Sequence, residues 1–431
     1  AVFDTAILGS NPSAPANKNM LKNNFQLFKK IIFKFFPFYK NKDLKLVFKI
    51  LNKGFSKDII VARFVGGCVR KHLLGENIDD IDIATILTTD EIKKKFENTK
   101  FQVIDSGIKH GTVTLVSKKL QIEITTLRKD TKTDGRHAEI EYTDSWQLDS
   151  ERRDFTINAI YLDINGNIFD PQMGTIDLSN NNVKFIGDPQ KRIEEDYLRI
   201  IRFIRFKLTY NDKVEATTLE AIKINLDGVK KISKERILIE LFKILDLDNF
   251  IKLNENFKLK EIFTHIFPEF IYLDRLKRLK LLKTKFKIDR DVLLAILLID
   301  DKDNHEYFGH KYRVSNLIRG KLNLFAKNLK LSQNDKNFLK KDLYKNIYLF
   351  GKEHILAIII LNFVNIKKNK FEIFLSLQKK INQFKIPKFK FDGKYLLQNG
   401  MKEGLALGKV LKTVEEEWIN NNFKITKDKV T

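Results

Sequence analysis

A glycine pair inside Phe64-Val-Gly-Gly-Cys-Val-Arg70, followed ten residues later by Asp80-Ile-Asp82, couples a phosphate-approach turn to two carboxylates able to share a divalent cation. Gly66 and Gly67 stand where an apolar strand pattern, Asp58 to Val65, gives way to the first turns of a helix, Val69 to Leu74. Without Cβ atoms, they let backbone N–H groups and a helix N-terminus come close to a triphosphate. Ile78, Ile81 and Ile83 alternate with polar residues, which predicts a strand carrying Asp80 and Asp82 on one face. Two carboxylates so placed can share Mg²⁺, and the combination points to nucleotidyl transfer. Each half alone has an ordinary reading, a tight turn and a solvated strand edge. The segment lacks the G-x-G-x-x-G spacing of a dinucleotide site, and no Gly-Lys-Ser/Thr follows as a Walker-type loop requires.

A second constellation is Arg152-Arg-Asp-Phe-Thr-Ile-Asn-Ala159. The guanidinium groups of Arg152 and Arg153 suit a triphosphate or neighbouring carboxylates, while Asp154 and Asn158 carry groups that bond a ribose hydroxyl. A surface ion-pair cluster is the plain alternative. Between these constellations, Glu123 lies in an alternating strand pattern, Gln121 to Thr126, and Lys129-Asp-Thr-Lys-Thr-Asp-Gly-Arg-His137 reads as a mobile loop.

The elements that must position these groups follow from changes in period. From about Asp58 to Asp177, short β-patterned runs (Phe101 to Asp105, Thr112 to Val116, Gln121 to Thr126, Ile157 to Asp163) alternate with turn signals. After Gly187-Asp188-Pro189, apolar residues fall at helical spacing almost to the C-terminus. The chain of 431 residues, 43% hydrophobic, has ample material for several cores. Its 79 Lys and Arg against 55 Asp and Glu give a formal charge of +24, which favours an extended polyanion as partner. Residues 321–431 alone hold 23 Lys, no Arg and 10 acidic residues, a surplus of +13 suited to gripping phosphates without reading sequence. Lysine and asparagine richness also follows from a biased genome.

Cys68 is the single cysteine, so no intrachain disulfide forms and a reducing, cytoplasmic setting is expected. The seven histidines show no zinc spacing, and the longest apolar runs, Val292 to Ile299 and Ile355 to Leu361, are too short to span a bilayer. Residues 1–19, rich in Ala, Ser and Pro, are read as a disordered arm or an expression remnant.

These motifs resemble those of the bacterial class II tRNA nucleotidyltransferases, the CCA-adding enzymes, in the family that also holds bacterial poly(A) polymerases. The resemblance rests on Gly66-Gly67-Cys68-Val69-Arg70, Asp80-Ile-Asp82, Glu123-Ile-Thr-Thr-Leu-Arg128, Arg152 to Ala159, Asp170-Pro-Gln-Met-Gly174 and Glu195-Asp-Tyr-Leu-Arg199, with a weaker match over Gly404 to Trp418. It implies an α+β polymerase-β-like head at 20–180. Three all-helical parts would follow: a neck with the base-recognition helix at 181–248, a body at 249–325 and a tRNA-binding tail at 326–431. By resemblance, Arg70 meets the triphosphate, and Asp80 and Asp82 hold Mg²⁺ for attack of a tRNA 3′-hydroxyl on the α-phosphate of CTP or ATP. Glu123 completes that metal site, assists proton removal, or is only a solvent-facing strand residue.

Asp196 and Arg199 act in the family as an amino-acid template. Three apart on a helix, they share a face. Asp accepting from an amino group and Arg donating to a ring nitrogen match cytosine and adenine and mismatch uracil and guanine. Arg128, Asp130, Asp134 and Arg136 belong by resemblance to the loop whose rearrangement admits ATP, or else are solvated loop charges. Lys71 departs from the family, whose members commonly have Asp after that Arg. Three readings follow: a CCA-adding enzyme, monomeric or homodimeric; a poly(A) polymerase or A-adding enzyme with the same head; and an inactive RNA-binding relative.

Overall fold

The computed structural model of the protein describes residues 37–424, apart from 108–110, 119, 134–137, 211–214, 283–287, 366–370 and 399–401. The expected arm at 1–19 lies outside the described residues. The chain divides into two compact units, one reaching to Arg199 and including 213–228, the other made of 200–212 and the residues from Val229 onward.

The first unit is a mixed α/β body. Helix α1 (Lys42–Leu51) starts at Asn41, whose side chain accepts from the backbone N–H groups of Asp43 and Leu44. It buries Leu44, Val47, Phe48 and Leu51, the i, i+3, i+4, i+7 stripe of an amphipathic helix. Strand β1 (Ala62–Val65) leads into α2 (Gly67–Leu74), β2 (Ile81–Thr85), α3 (Thr89–Phe96), β3 (Gln102–Gly107), β4 (Thr112–Ser117) and β5 (Leu120–Thr126). Then come β6 (Arg128–Thr133), β7 (Ala138–Tyr142), α4 (Trp146–Glu151), β8 (Tyr161–Leu162), β9 (Ile168–Phe169) and α5 (Gly174–Ser179). Helices α6 (Pro189–Glu195), α7 (Leu198–Tyr210) and α8 (Ala216–Asn225) follow, with α7 continuing into the second unit.

Seven strands form one sheet in the order β3-β4-β5-β2-β1-β8-β9, in which β2 and β5 are parallel and all other neighbours antiparallel. Alternation along β1 decides what each face does. Phe64 packs on Phe48 of α1, ring centroids 4.7 Å apart. Val65, on the other face, joins Ala84, Leu127 and Tyr161 in a buried cluster flanked by Trp146 and Phe169. The Asp170-to-Gly174 motif is a packing device. The Asp170 carboxylate accepts from the N–H groups of Gly174 and Thr175 at 2.8 Å each, and a Cβ at Gly174 would fall 2.1 Å from the Thr156 carbonyl oxygen.

Three local expectations change. The strand expected over Asp58 to Val65 begins at Ala62. The strand expected over Ile157 to Asp163 is a short 3₁₀ turn, Thr156–Asn158, followed by the two-residue β8. Side chains redirect the backbone there: Thr156 Oγ1 donates to Asp177 at 2.7 Å, and Asn158 Nδ2 donates to Asp154 at 2.8 Å. The segment expected as a loop after Arg128 forms the antiparallel pair β6–β7, with Asp130 opposite Ile140. Asp134 and Arg136 lie outside the described residues.

The second unit is helical. Its helices are α9 (Lys234–Leu245), α10 (Phe257–Ile266), α11 (Arg275–Leu282), α12 (Arg290–Leu298), α13 (Asn304–Lys311), α14 (Asn316–Asn334), α15 (Leu343–Phe350), α16 (Lys352–Asn365), α17 (Phe371–Gln383), α18 (Gly393–Gln398) and α19 (Leu405–Asn420). Ser233 caps α9 by accepting from Arg236 N. Glu240, only 3% exposed, turns its carboxylate to Arg205 at 2.8 Å, Lys243 at 3.1 Å and Arg202 at 3.5 Å, so these two arginines of α7 are partnered. Val292 to Ile299 is buried throughout, and no helix among the described residues is long and apolar enough to cross a membrane. The α+β expectation therefore holds, with a mixed sheet first and a largely helical remainder after it.

Candidate active site

Gly66 sits at φ 72°, a left-handed conformation, as the cap of α2. An L side chain is strained there, and a Cβ would stand 3.6 Å from Asp82 Oδ2. The glycine turn and the second carboxylate of Asp80-Ile-Asp82 therefore meet. Cys68 Sγ fastens them from behind, lying 3.3 Å from the Val65 carbonyl and 3.6 Å from the Asp82 carbonyl, and burial pushes its thiol up to about 12.

Asp82 lies in β2, on the same face as Ala84, and Asp80 precedes the strand in an exposed position. The parallel register sets Glu123 of β5 directly beside Asp82, so both carboxylates leave the same face of the sheet. Asp82 binds its proton more tightly than usual, up to about 6. Burial is the first cause, the Glu123 and Asp80 charges add to it, and Arg153 and Arg70 oppose it. A divalent cation is the group that would relieve this repulsion. Among the described residues no group of three or more His, Cys, Asp or Glu is arranged to enclose a metal ion. Mg²⁺ does not need such a cage, since it commonly takes one or two carboxylates and completes its shell with water and substrate phosphates. Asp80 and Asp82 fit that mode.

Arg70, on α2, donates to Asn158 Oδ1, and Asn158 Nδ2 donates to Asp154 Oδ1 at 2.8 Å. All three are 7–8% exposed. The turn helix and the Arg152-to-Ala159 segment are thus one network. Arg152 and Arg153 converge on Asp149, a fully buried residue of α4 that sequence reading missed, although its i, i+3 and i, i+4 spacing to the two arginines was the available signal.

Asp196 and Arg199 are placed differently from the helical expectation. Asp196 has extended backbone (φ −156°, ψ 104°) between α6 and α7, and its Oδ1 accepts from Leu198 N at 3.1 Å. Its carboxylate starts α7 instead of sharing a helix face with Arg199. The reason is the preference of a short carboxylate for the orphan N–H groups at a helix start. Arg199, 9% exposed in the first turn of α7, pairs with Glu195 and reaches the carbonyl oxygens of Arg192 and Arg152. Arg192, also missed, donates to the carbonyl oxygens of Arg152 and Arg153. Of the base-reading candidates, Arg199 is therefore attached to the backbone of Arg152, one of the phosphate candidates. Arg128 opens β6, and its N–H points to Asp149 Oδ1 at 3.4 Å. Asp130 lies in β6, and Arg136 falls outside the described residues.

Comparison with known proteins gives the family and the fold. The profile described as the poly A polymerase head domain matches residues 62–184, and one described as a probable RNA and SrmB-binding site of polymerase A matches residues 213–273. The mitochondrial CCA tRNA nucleotidyltransferase 1 of Mus musculus is 33% identical over 397 residues, covering 89% of this chain and 88% of that protein. The CCA-adding enzyme of Staphylococcus haemolyticus (strain JCSC1435) is 33% identical over 404 residues, covering 90% and 96%. Among solved structures, the Bacillus stearothermophilus CCA-adding enzyme in complex with CTP superposes with a TM-score of 0.60 at 24% identity, over 87% of this chain and 92% of that one. The Thermotoga maritima CCA-adding enzyme complexed with tRNA gives a TM-score of 0.58 at 23% identity, over 90% and 94%; these two likenesses show the fold. By its identity to full-length relatives and by its head, the chain belongs to the tRNA nucleotidyltransferase family of CCA-adding enzymes.

Proposed function

We propose that the protein adds C, C and A to the 3′ end of tRNA from CTP and ATP without a nucleic-acid template, releasing pyrophosphate. The observation that carries this reading is the meeting of the Gly66 turn with Asp82, beside Glu123, in a chain whose relatives, matched over most of their length, are named CCA tRNA nucleotidyltransferase and CCA-adding enzyme. Asp80 and Asp82 would hold Mg²⁺. When bound, it supplies Lewis acidity to the attacking 3′-hydroxyl and the leaving phosphates. The Gly66-Gly67 turn admits the triphosphate to within reach of backbone N–H groups, and Arg70, Arg152 and Arg153 offer positive charge to it. Asp154 and Asn158 stand ready for the ribose, and Asp196 with Arg199 for the base edge. Glu123 adds charge beside Asp82, or takes the proton. The division of the helical portion into neck, body and tail, with the lysine-rich 326–431 against tRNA, belongs to the same reading, as does work in a reducing cytoplasm.

The test is addition to a tRNA transcript ending at the discriminator base, with Mg²⁺ and CTP and ATP together or singly. Three added nucleotides requiring both substrates support the reading. Long A tracts from ATP alone would replace it with poly(A) synthesis, and a single A on a CC-ended transcript only would replace it with A addition. Asp80→Ala and Asp82→Asn are expected to lower addition at least ~10³-fold while tRNA binding persists, as read by gel shift. Full activity in either variant would remove the metal assignment.

A further inference from the structure

Asp149 is fully buried, the least exposed carboxylate among the described residues, and nothing in the reading above uses it. It lies near the end of α4, three and four residues ahead of Arg152 and Arg153, so both guanidinium groups fold back onto it from just past the helix end. Its Oδ1 accepts from Arg152 Nη2 at 2.7 Å and Nε at 2.8 Å. Its Oδ2 accepts from Arg153 Nη2 at 3.0 Å, Arg153 Nε at 3.3 Å and the Tyr161 hydroxyl at 2.7 Å. Tyr161 in turn accepts from Arg153 Nε at 3.0 Å. The backbone of the same Arg152-Arg153 dipeptide is gripped from the other side by Arg192 and Arg199.

A buried carboxylate is a costly way to stabilise a fold, because desolvation offsets much of its attraction. What it supplies is geometry. Two donors from each guanidinium onto a single carboxylate oxygen fix its plane, and one negative charge set against two positive ones leaves a surplus of one positive charge. That surplus is felt at Asp82, whose raised pKa the Arg153 charge opposes. The same Oδ1 lies 3.4 Å from Arg128 N, the first residue of β6.

We propose that Asp149 is a positioning residue for nucleotidyl transfer: it sets the Arg152 and Arg153 guanidinium groups where the nucleotide triphosphate is received and ties the root of β6 to the same point. This inference rests on the nucleotidyl-transfer reading, and its test separates the two. CTP binding with Mg²⁺ is measured by calorimetry on the full chain, together with KM for CTP, ATP and tRNA, in the wild type, Asp149→Asn and Tyr161→Phe. Asp149→Asn is expected to raise the CTP dissociation constant and the KM for CTP and ATP about tenfold, with the tRNA KM unchanged. Tyr161→Phe, which removes only the hydroxyl between Asp149 and Arg153, is expected to raise the nucleotide constants about threefold. Hydrogen exchange of residues 128–133 is expected to slow on CTP binding in the wild type and not in Asp149→Asn. Variants that melt lower but bind and use CTP like the wild type overturn the inference alone. Wild-type protein that binds no CTP overturns the inference and the reading beneath it. If Asp149→Asn does not fold, unchanged nucleotide constants in Tyr161→Phe overturn the inference.

Discussion

Arg199 gives its guanidinium to Glu195, four residues earlier and across the helix break at Asp196. Its remaining donors reach the carbonyl oxygens of Arg192 and Arg152, so the candidate base reader is fixed in direction by groups on both sides. A planar guanidinium held in this way presents a defined edge, which a flexible ammonium cannot do.

Arg199→Ala should therefore cost selectivity and stability together. Incorporation of UTP and GTP relative to CTP should rise at least ~10-fold, and the fold should lose about 2 kcal/mol because Glu195 and two carbonyls lose a buried donor. Arg199→Lys should recover part of the stability and little of the selectivity. Competition assays with the four nucleotides, run beside urea denaturation, check both; unchanged discrimination in Arg199→Ala would remove Arg199 from base reading.

Lys71, where the family resemblance leads one to expect Asp, pairs with Asp79 at 2.8 Å, tying α2 to the residue just before Asp80. Asp79 is 73% exposed in its side chain, so the pair is a tether of small energy. Lys71→Asp should raise the Mg²⁺ concentration for half-maximal addition about two- to fivefold, and the exchange Lys71→Asp with Asp79→Lys should restore it. A Mg²⁺ titration of the single and double variants decides; no rescue by the exchange would mean that the tether does not place Asp80.

Asp149 also gives the fold a dependence on acid. Burial alone would raise its pKa, but the Arg153 and Arg152 charges and the Tyr161 hydroxyl more than offset that and hold it at about 2, below its ordinary 3.8. A folded value below the unfolded one means that ionisation favours the fold. The contribution, about 2 kcal/mol, is present above about pH 4 and is lost as pH falls through about 2. The stability gap between wild type and Asp149→Asn should shrink across that window. Urea midpoints at pH 5, 3.5 and 2.5 measure it, and a constant gap would contradict the assignment.

Gly174→Ala tests the Asp170-to-Gly174 motif as packing. A Cβ 2.1 Å from the Thr156 carbonyl oxygen forces backbone apart beneath the Arg152-to-Ala159 segment. A loss of about 3 kcal/mol or failure to fold is expected, seen as a lowered melting temperature or insoluble expression. Wild-type melting would show that the segment yields without strain.

Much of this molecule was written in local pattern. Gly66 and Gly67 announced a turn because only glycine tolerates the backbone that Gly66 adopts, and alternation in Gln121 to Thr126 announced a strand because its period is two. The switch to helical spacing after Pro189 marked the change from sheet to helices, since burying one helix face imposes that period. The amino-acid sequence alone thus determined the glycine turn, the strand that carries Glu123 and the passage from sheet to helices. It did not determine partners. That Asp82 and Glu123 stand side by side depends on the parallel register of two strands some forty residues apart, and that Arg192 and Arg199 grip the backbone of Arg152 depends on helix packing. Asp196, three residues from Arg199, left the shared helix face because a free N–H at the start of α7 was a better partner for its carboxylate. Hydrogen bonds and ion pairs between distant segments form only once the chain has closed on itself, so tertiary structure alone chose Asp149 as the point where two arginines, a tyrosine and a strand are joined.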